Sequence, residues 1–155
     1  MFSFHRILVP IDFGDVSRAV VDSACELADR VGGQIVLLHV LSPAAVLPPL
    51  ERVPVPVRNI DDASRAERLL DEIPESTAWR GLVEDRSVQS GDPATTIAEF
   101  ARQRDVDIIV MGTHSRSGLK HLLLGSVTES VVSKASCPVL TVPTLVAEYS
   151  SAETN

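Results

Sequence analysis

The residues best suited to bind an anion lie between two glycines, Gly112 and Gly125. Gly112 follows the apolar run 108–111, which is typical of a buried strand that ends in a loop. Residues 126–129 are Ser-Val-Thr-Glu, the spacing of a capping box, so a helix is predicted to begin at Ser126 with the serine as its N-cap. Open α/β sheets bind ligands in loops of this kind, and the free N–H groups at a helix start favour an anion.

This loop is positively charged although the chain as a whole is acidic. The 155-residue sequence has a formal net charge of −7, yet no Asp or Glu occurs from 108 to 128. That window holds Arg116, Lys120, His114 and His121. A positive field beside free N–H groups predicts a phosphate as the ligand. The two histidines have no Cys or carboxylate at metal-site spacing nearby, so no metal site is predicted.

Length and composition predict one domain and exclude several classes of protein. An acidic balance argues against a general binder of nucleic acids or anionic membranes, because both need a broad basic face. The cysteines, Cys25 and Cys137, are too few for a disulfide framework and are interpreted as small buried side chains in a reducing compartment. Asp12 and Asp15 interrupt any signal-peptide core, and no apolar run approaches the ~20 residues of a membrane span. We therefore expect a soluble cytoplasmic protein.

Strands and helices are predicted to alternate along the whole chain, with Asp92 and Pro93 as the N-cap and first residue of the third helix. Such alternation predicts an α/β fold with a mostly parallel open sheet, helices on both faces and right-handed crossovers. The predicted strands β1 to β5 cover 6–12, 34–40, 78–90, 106–111 and 137–143, and the predicted helices α1 to α4 cover 17–31, 61–73, 92–101 and 126–135.

The place of each strand in the sheet follows from its polarity and its prolines. The charged segment 78–90 predicts an edge strand, and prolines near both ends of 137–143 predict another. The topological switch point of such a sheet lies beside β1, so a ligand is expected across the ends of β1 and β4. Asp12 and Gly112 would then face the same crevice.

Two segments fall outside this alternation. Prolines at positions 43, 48, 49, 54 and 56 predict an extended surface loop over 43–58, which follows β2 at the ligand-binding edge of the sheet. The loop is either a lid over the site or a proline-stiffened connection. The C-terminal residues predict a flexible tail over 146–155, which leaves 1–145 as a single domain.

Several short segments together form a specific pattern. They are Ile7–Asp12, Leu38–Val40, Ser90–Pro93, Ile109–His114, Leu122–Val127 and Cys137–Val139. With them the chain resembles the universal stress protein family over nearly all of its length. Family members that bind ATP carry a loop of the pattern G-x2-G-x9-G-[ST]. Here the first glycine is Gly112 and the last pair is Gly125-Ser126, whereas Ser115 stands at the middle position.

The resemblance implies a Rossmann-like fold, similar to the adenine nucleotide alpha hydrolases, with a five-stranded sheet in the order 3-2-1-4-5. It also implies an adenine nucleotide bound at the β1/β4 switch point. Asp12 and the backbone of Val40 would face the adenine. Pro10, Met111 and Gly112 would border the sugar.

By the same resemblance, the phosphates would lie against position 115 and the start of α4. Main-chain N–H groups of Ser115, Gly125, Ser126 and Val127 would cradle them, with the Ser126 hydroxyl, and Arg116 and Lys120 would supply counter-charge. Ser115 leaves two alternatives open. If φ must be positive there, a serine costs about 1–2 kcal/mol of strain. If φ is negative, its hydroxyl is an additional donor to the phosphate.

The implied function is an ATP-binding stress-response or signalling module, with or without Mg²⁺, that acts as a homodimer on an unidentified partner. The dimer would form by antiparallel pairing of the β5 edges, at Val139, Leu140, Thr141 and Val142. The alternative is a nucleotide-free interaction protein of the same fold that acts through partner contacts. The sequence has no Walker A motif and no nucleophile elbow, so no enzymatic activity beyond slow ATP hydrolysis is predicted.

Each candidate residue also has a purely structural interpretation. Gly112 would then only turn the chain, Ser126 would only cap its helix, and Asp12 would only brace the turn after β1. His39 lies in an apolar strand and is interpreted as a hydrogen-bonded core histidine rather than a ligand.

Overall fold

The computed structural model describes residues 3–42, 60–113 and 124–143. Within these ranges strands and helices alternate as predicted. The elements are, in order, β1 Arg6–Pro10, α1 Ser17–Val31, β2 Gln34–Leu41, α2 Ile60–Asp71, a 3-10 helix Thr77–Leu82, β3 Val83–Ser90, α3 Pro93–Gln103, β4 Ile108–Gly112, α4 Ser126–Lys134 and β5 Val139–Val142.

The five strands form one sheet in the order β3-β2-β1-β4-β5, and every neighbouring pair is parallel. This confirms the predicted fold class and strand order. In the central strand β1, Ile7, Leu8 and Val9 are each 0% exposed. A strand that is covered on both faces has to be apolar at every position, so its sequence is a continuous apolar run. The polar β3 and the proline-flanked β5 form the two edges, as predicted.

Successive residues of the sheet contribute to two hydrophobic cores, because side chains along a strand alternate between its faces. On one face Ile7 packs with α1 and with Leu70 of α2. On the other face Leu8 packs with Ile97 of α3 and Val131 of α4. The helices therefore cover both faces of the central strands, and a cavity opens at the carboxyl ends of these strands.

The first core also contains a cysteine. Cys25 of α1 is 0% exposed, and burial raises the pKa of its thiol to about 11. The thiol thus stays protonated and packs as a small apolar side chain. Among the described residues, no helix is long and apolar enough to cross a bilayer.

The helix ends follow the sequence signals in two cases and depart from them in one. Gly32 ends α1 in the left-handed conformation, with φ 67°. Asp92 caps α3 by accepting a hydrogen bond from the Thr95 N–H at 3.0 Å. The capping box predicted for α4 is wrong. Gly125, with extended backbone at φ −59° and ψ 152°, is the N-cap, and Ser126 is already helical. An N-cap side chain can reach the free N–H groups only from an extended backbone, which Ser126 lacks.

The predicted strand 78–90 is correct only in its second half. Thr77–Leu82 forms the 3-10 helix, and the strand begins at Val83. Trp79 and Leu82 are three residues apart, which is the period of a 3-10 helix, and both pack against the first core. Their anchoring explains why a helical turn replaces the start of the strand. The other predicted bounds agree to within two residues, and the segments 43–58 and 146–155 lie outside the described residues.

Gly33 marks a close approach between the turn that follows α1 and the chain that precedes β1. A Cβ atom added to Gly33 would overlap the carbonyl oxygen of Phe4 and lie 3.3 Å from that of His5. An added Cβ on Gly81, in contrast, would meet no atom within 4 Å. The two glycines thus form a matched pair for testing the register between β1 and β2.

Gly33→Ala is expected to lower the free energy of unfolding by about 1–3 kcal/mol, because backbone atoms have to move apart. Gly81→Ala, the control, is expected to change it by less than about 0.5 kcal/mol. Urea denaturation followed by circular dichroism measures both values. Equal stability of the two variants would contradict the close approach at Gly33.

Candidate functional site

A cavity of about 200 Å³ opens at the carboxyl ends of β1, β2 and β4, where the first turn of α4 also begins. All of the predicted site residues that the structure describes line this cavity, although they come from separate parts of the chain. They are Pro10, Asp12, Val40, Met111, Gly112, Gly125, Ser126 and Val127. The other two predicted residues, Ser115 and Arg116, lie outside the described residues.

Asp12 organises the turn between β1 and α1. Its Oδ1 atom accepts hydrogen bonds from the Gly14 N–H at 2.8 Å and from the Ser17 hydroxyl at 2.9 Å. Phe13, which lies between Asp12 and Gly14, has φ 59°, a left-handed conformation that non-glycine residues seldom adopt. The carboxylate therefore holds a strained turn at the edge of the cavity and keeps its own position there.

Two hydrogen bonds join the ends of the glycine loop. The Gly125 N–H donates to the Thr113 carbonyl at 2.6 Å, and the Thr128 hydroxyl donates to the Gly112 carbonyl at 2.8 Å. We call this pair of bonds the loop neck. It ties the end of β4 to the first turn of α4, so the helix start is held against the cavity.

Thr128 was missed as a site residue at the sequence level. Its side chain is only 5% exposed, and it lies three residues before the buried Val131 on the same face of α4. A hydroxyl on the buried face of a helix requires a hydrogen-bond partner, and this requirement is the signal that points to it. The sequence cannot show that the partner is the carbonyl of Gly112.

The first turn of α4 presents main-chain donors to the cavity. The first N–H groups of any helix lack partners within the helix. Here the Gly125 N–H is used in the loop neck, whereas those of Ser126 and Val127 have no backbone partner among the described residues. Ser126 also lines the cavity, so its hydroxyl is a further donor at the start of the helix. The positive end of the helix dipole adds to the attraction for an anion.

Apolar side chains and a histidine also line the cavity. The walls include Val16, directly before α1, Val20 of α1 and Ile97 of α3, and Val40 lies at the end of β2. His39 is hydrogen-bonded, as predicted, since its Nδ1 lies 2.6 Å from the Ile11 carbonyl oxygen, but it also lines the cavity. The arrangement suits a ligand with a flat apolar part at one end and an anion at the other.

The model of the universal stress protein family matches residues 3–143 of this chain. The universal stress protein YxiE of Bacillus subtilis is 33% identical over 146 residues, which cover 90% of this chain and 99% of that protein. The chain therefore belongs to the universal stress protein family, as the resemblance in its sequence indicated.

Solved structures show the same fold. A universal stress protein in complex with cAMP superposes with a TM-score of 0.68 at 20% identity, covering 90% of this chain and 97% of that chain. The universal stress protein from Archaeoglobus fulgidus in complex with dAMP gives a TM-score of 0.60 at 22% identity, covering 90% and 98%. At these identities the comparison establishes the fold alone.

Thr128→Val is expected to lower the free energy of unfolding by about 1–3 kcal/mol, because it removes the donor to the Gly112 carbonyl while keeping the side-chain shape. Thr128→Ser, the control, retains the hydroxyl and is expected to lose less. Chemical denaturation of the three proteins measures the difference. A valine variant as stable as the serine variant would show that the loop neck does not depend on this hydrogen bond.

Proposed function

We propose that this protein is a stress-response module that binds an adenine nucleotide, with ATP as the principal ligand, in the cavity at the ends of β1 and β4. The observation that supports this most strongly is the gathering of the predicted residues from β1, β2, β4 and α4 around one cavity. The cAMP and dAMP complexes of proteins with the same fold add support.

The base and sugar would occupy the apolar end. Val16, Val20 and Ile97 offer apolar surface to the faces of the adenine ring, while the Val40 main chain and Asp12 lie at its rim. Pro10, Met111 and Gly112 would border the ribose, as the family resemblance implies. A buried aromatic base gains from apolar walls, and a few polar groups at the rim fix its orientation.

The phosphates would lie at the start of α4. The Ser126 and Val127 N–H groups and the Ser126 hydroxyl are the donors on the described side, and Ser115 and Arg116 would complete the site from the loop. Gly125 would leave room for the phosphates because it has no side chain. It would not act as a donor, since its N–H is used in the loop neck. A Mg²⁺ ion would be held by the phosphates, because no three His, Cys, Asp or Glu side chains group together in the described residues.

Binding rather than catalysis is the proposed role. Asp12 is the carboxylate at the cavity among the described residues, and it is engaged in the β1–α1 turn. A general base that activates water has to be free to accept a proton in the reaction. Nucleotide occupancy is therefore proposed to act by changing what the protein can bind.

Saturating Mg-ATP is expected to raise the melting temperature. At about 100 times the dissociation constant, linkage supplies about 2.7 kcal/mol, which corresponds to roughly 5 °C or more for a chain of this size. Gly125→Val is expected to abolish the shift by filling the phosphate site. At φ −59° valine adds no backbone strain, so the fold should persist. Gly81→Ala serves as the control that keeps the shift.

An absence of nucleotide binding would be equally informative. If adenine nucleotides at millimolar concentration give no melting shift and no calorimetric signal, and none is released on denaturation of the purified protein, the nucleotide-free interaction protein is favoured instead. The exposed edge strand β5, where Leu140 is 42% exposed, is the observation that supports that second candidate.

We further propose that the protein forms a homodimer through this β5 edge. The Ile109 N–H donates to the Pro138 carbonyl, and the Thr113 N–H donates to the Val142 carbonyl. Main-chain groups alternate in direction along a strand, so those of Val139 and Thr141 point away from β4. An unpaired edge of this kind can pair with its symmetry mate.

Thr141→Pro is expected to convert the dimer to a monomer at micromolar concentration, because proline removes an outward N–H that the partner strand would need. The monomer fold should persist, since that N–H makes no bond to β4. Thr141→Ala, the matched control, keeps the N–H and should remain dimeric. Light scattering coupled to size-exclusion chromatography reports the mass, and a wild-type monomer would refute the proposed interface.

A further inference from the structure

The backbone ladder between β1 and β2 stops abruptly at the cavity. Their register runs from Arg6 opposite Gln34 to Pro10 opposite Leu38. The last backbone bond between them is donated by the Ile11 N–H to the Leu38 carbonyl at 2.8 Å. In a regular parallel ladder the next bond would run from the Val40 N–H to the Ile11 carbonyl. Continued by two residues, the register would place Ile11 opposite His39 and then Asp12 opposite Val40, the two residues proposed to face the base.

That next bond is replaced by a side chain. The Ile11 carbonyl accepts from Nδ1 of His39 at 2.6 Å. Within the described part of the chain, the Val40 N–H makes no backbone bond to Ile11. The Ile11 carbonyl thus has the His39 ring as its partner in place of the Val40 N–H, and the main-chain groups of Val40 that point toward β1 are left at the cavity.

The turn after β1 fits around the same ring. Phe13, in its left-handed conformation at φ 59°, places its ring centroid 4.6 Å from that of His39 at an interplanar angle of 39°. The chain therefore turns away from β2 directly after Ile11, and the two rings pack where the strands would have continued. The ladder therefore ends because these side chains pack at this point, and not because the strand ends are frayed.

We propose that His39 is a positioning residue that ends the β1–β2 ladder and so presents the Val40 N–H and C=O to the edge of an adenine base. The inference rests on the proposed nucleotide site and assigns a role within it. Adenine carries a ring-nitrogen acceptor next to an amino donor, and one residue's N–H and C=O can pair with that edge. A guanine edge, with a carbonyl beside a ring N–H, presents the reverse pattern.

The hydrogen bond also places a proton on Nδ1 of the ring. A carbonyl oxygen can only accept, so Nδ1 carries the proton. Asparagine places its side-chain N–H₂ close to the position of Nδ1, whereas leucine offers no donor. The pair His39→Asn and His39→Leu thus separates the bond to Ile11 from any other property of the imidazole.

Titration calorimetry tests the proposal. His39→Leu is expected to weaken ATP binding about tenfold or more, because Val40 can then pair with Ile11. His39→Asn should retain affinity within about threefold of wild type. Binding of tripolyphosphate, which has no base, should be the same in all three proteins. Equal loss of ATP affinity in both variants, or loss of tripolyphosphate binding, would overturn the role assigned to His39.

Amide hydrogen exchange at Val40, measured by NMR without ligand, tests whether His39 ends the β1–β2 ladder, independently of nucleotide binding. In wild type and in His39→Asn the Val40 N–H should exchange at least about tenfold faster than that of Leu38, and His39→Leu should slow it. A protected Val40 N–H in the wild type would overturn the inference. A wild type that binds no adenine nucleotide would instead refute the proposed function, while Val40 exchange would still show whether His39 ends the ladder.

Discussion

The structure depends on one constraint: the central strand β1 is buried on both faces and is shorter than its neighbour β2. Burial on both faces requires helices above and below the sheet. Because β1 ends at Pro10 while β2 continues to Leu41, the parallel register leaves a step at the carboxyl edge of the sheet. That step is the cavity, and the residues proposed to bind the nucleotide lie around it.

Main-chain groups supply much of the candidate site. The start of α4 offers N–H groups, the end of β2 offers Val40, and Gly112 and Gly125 keep side chains out of the cavity. Such a site depends on where the backbone runs more than on which side chains it carries. This is consistent with the shared fold between this chain and a solved structure that is only 20% identical to it.

Hydrogen bonds within the chain and bonds to a ligand compete for the same backbone groups. The Gly125 N–H is already used by Thr113, and the Gly112 carbonyl by Thr128. The Ile11 carbonyl is used by His39. At the start of α4 the Ser126 N–H keeps no backbone partner among the described residues, and at the end of β2 the Val40 N–H makes no bond to Ile11, so these donors stay available to a ligand. The fold thereby sets which donors a ligand can reach.

The sequence by itself determined the alternation of strands and helices, the edge strands and the convergence of Asp12 and Gly112 on one crevice, because hydrophobic period, prolines and glycines act locally. The full strand order and the other site residues followed from the family resemblance. The prediction from sequence placed the N-cap of α4 one residue too late. It also began the third strand at residue 78, within the 3-10 helix Thr77–Leu82. The roles of Thr128 and His39 were decided only by tertiary structure. Each role is a bond to a carbonyl on another element, at Gly112 or Ile11, and no local pattern specifies which distant backbone group a side chain will meet.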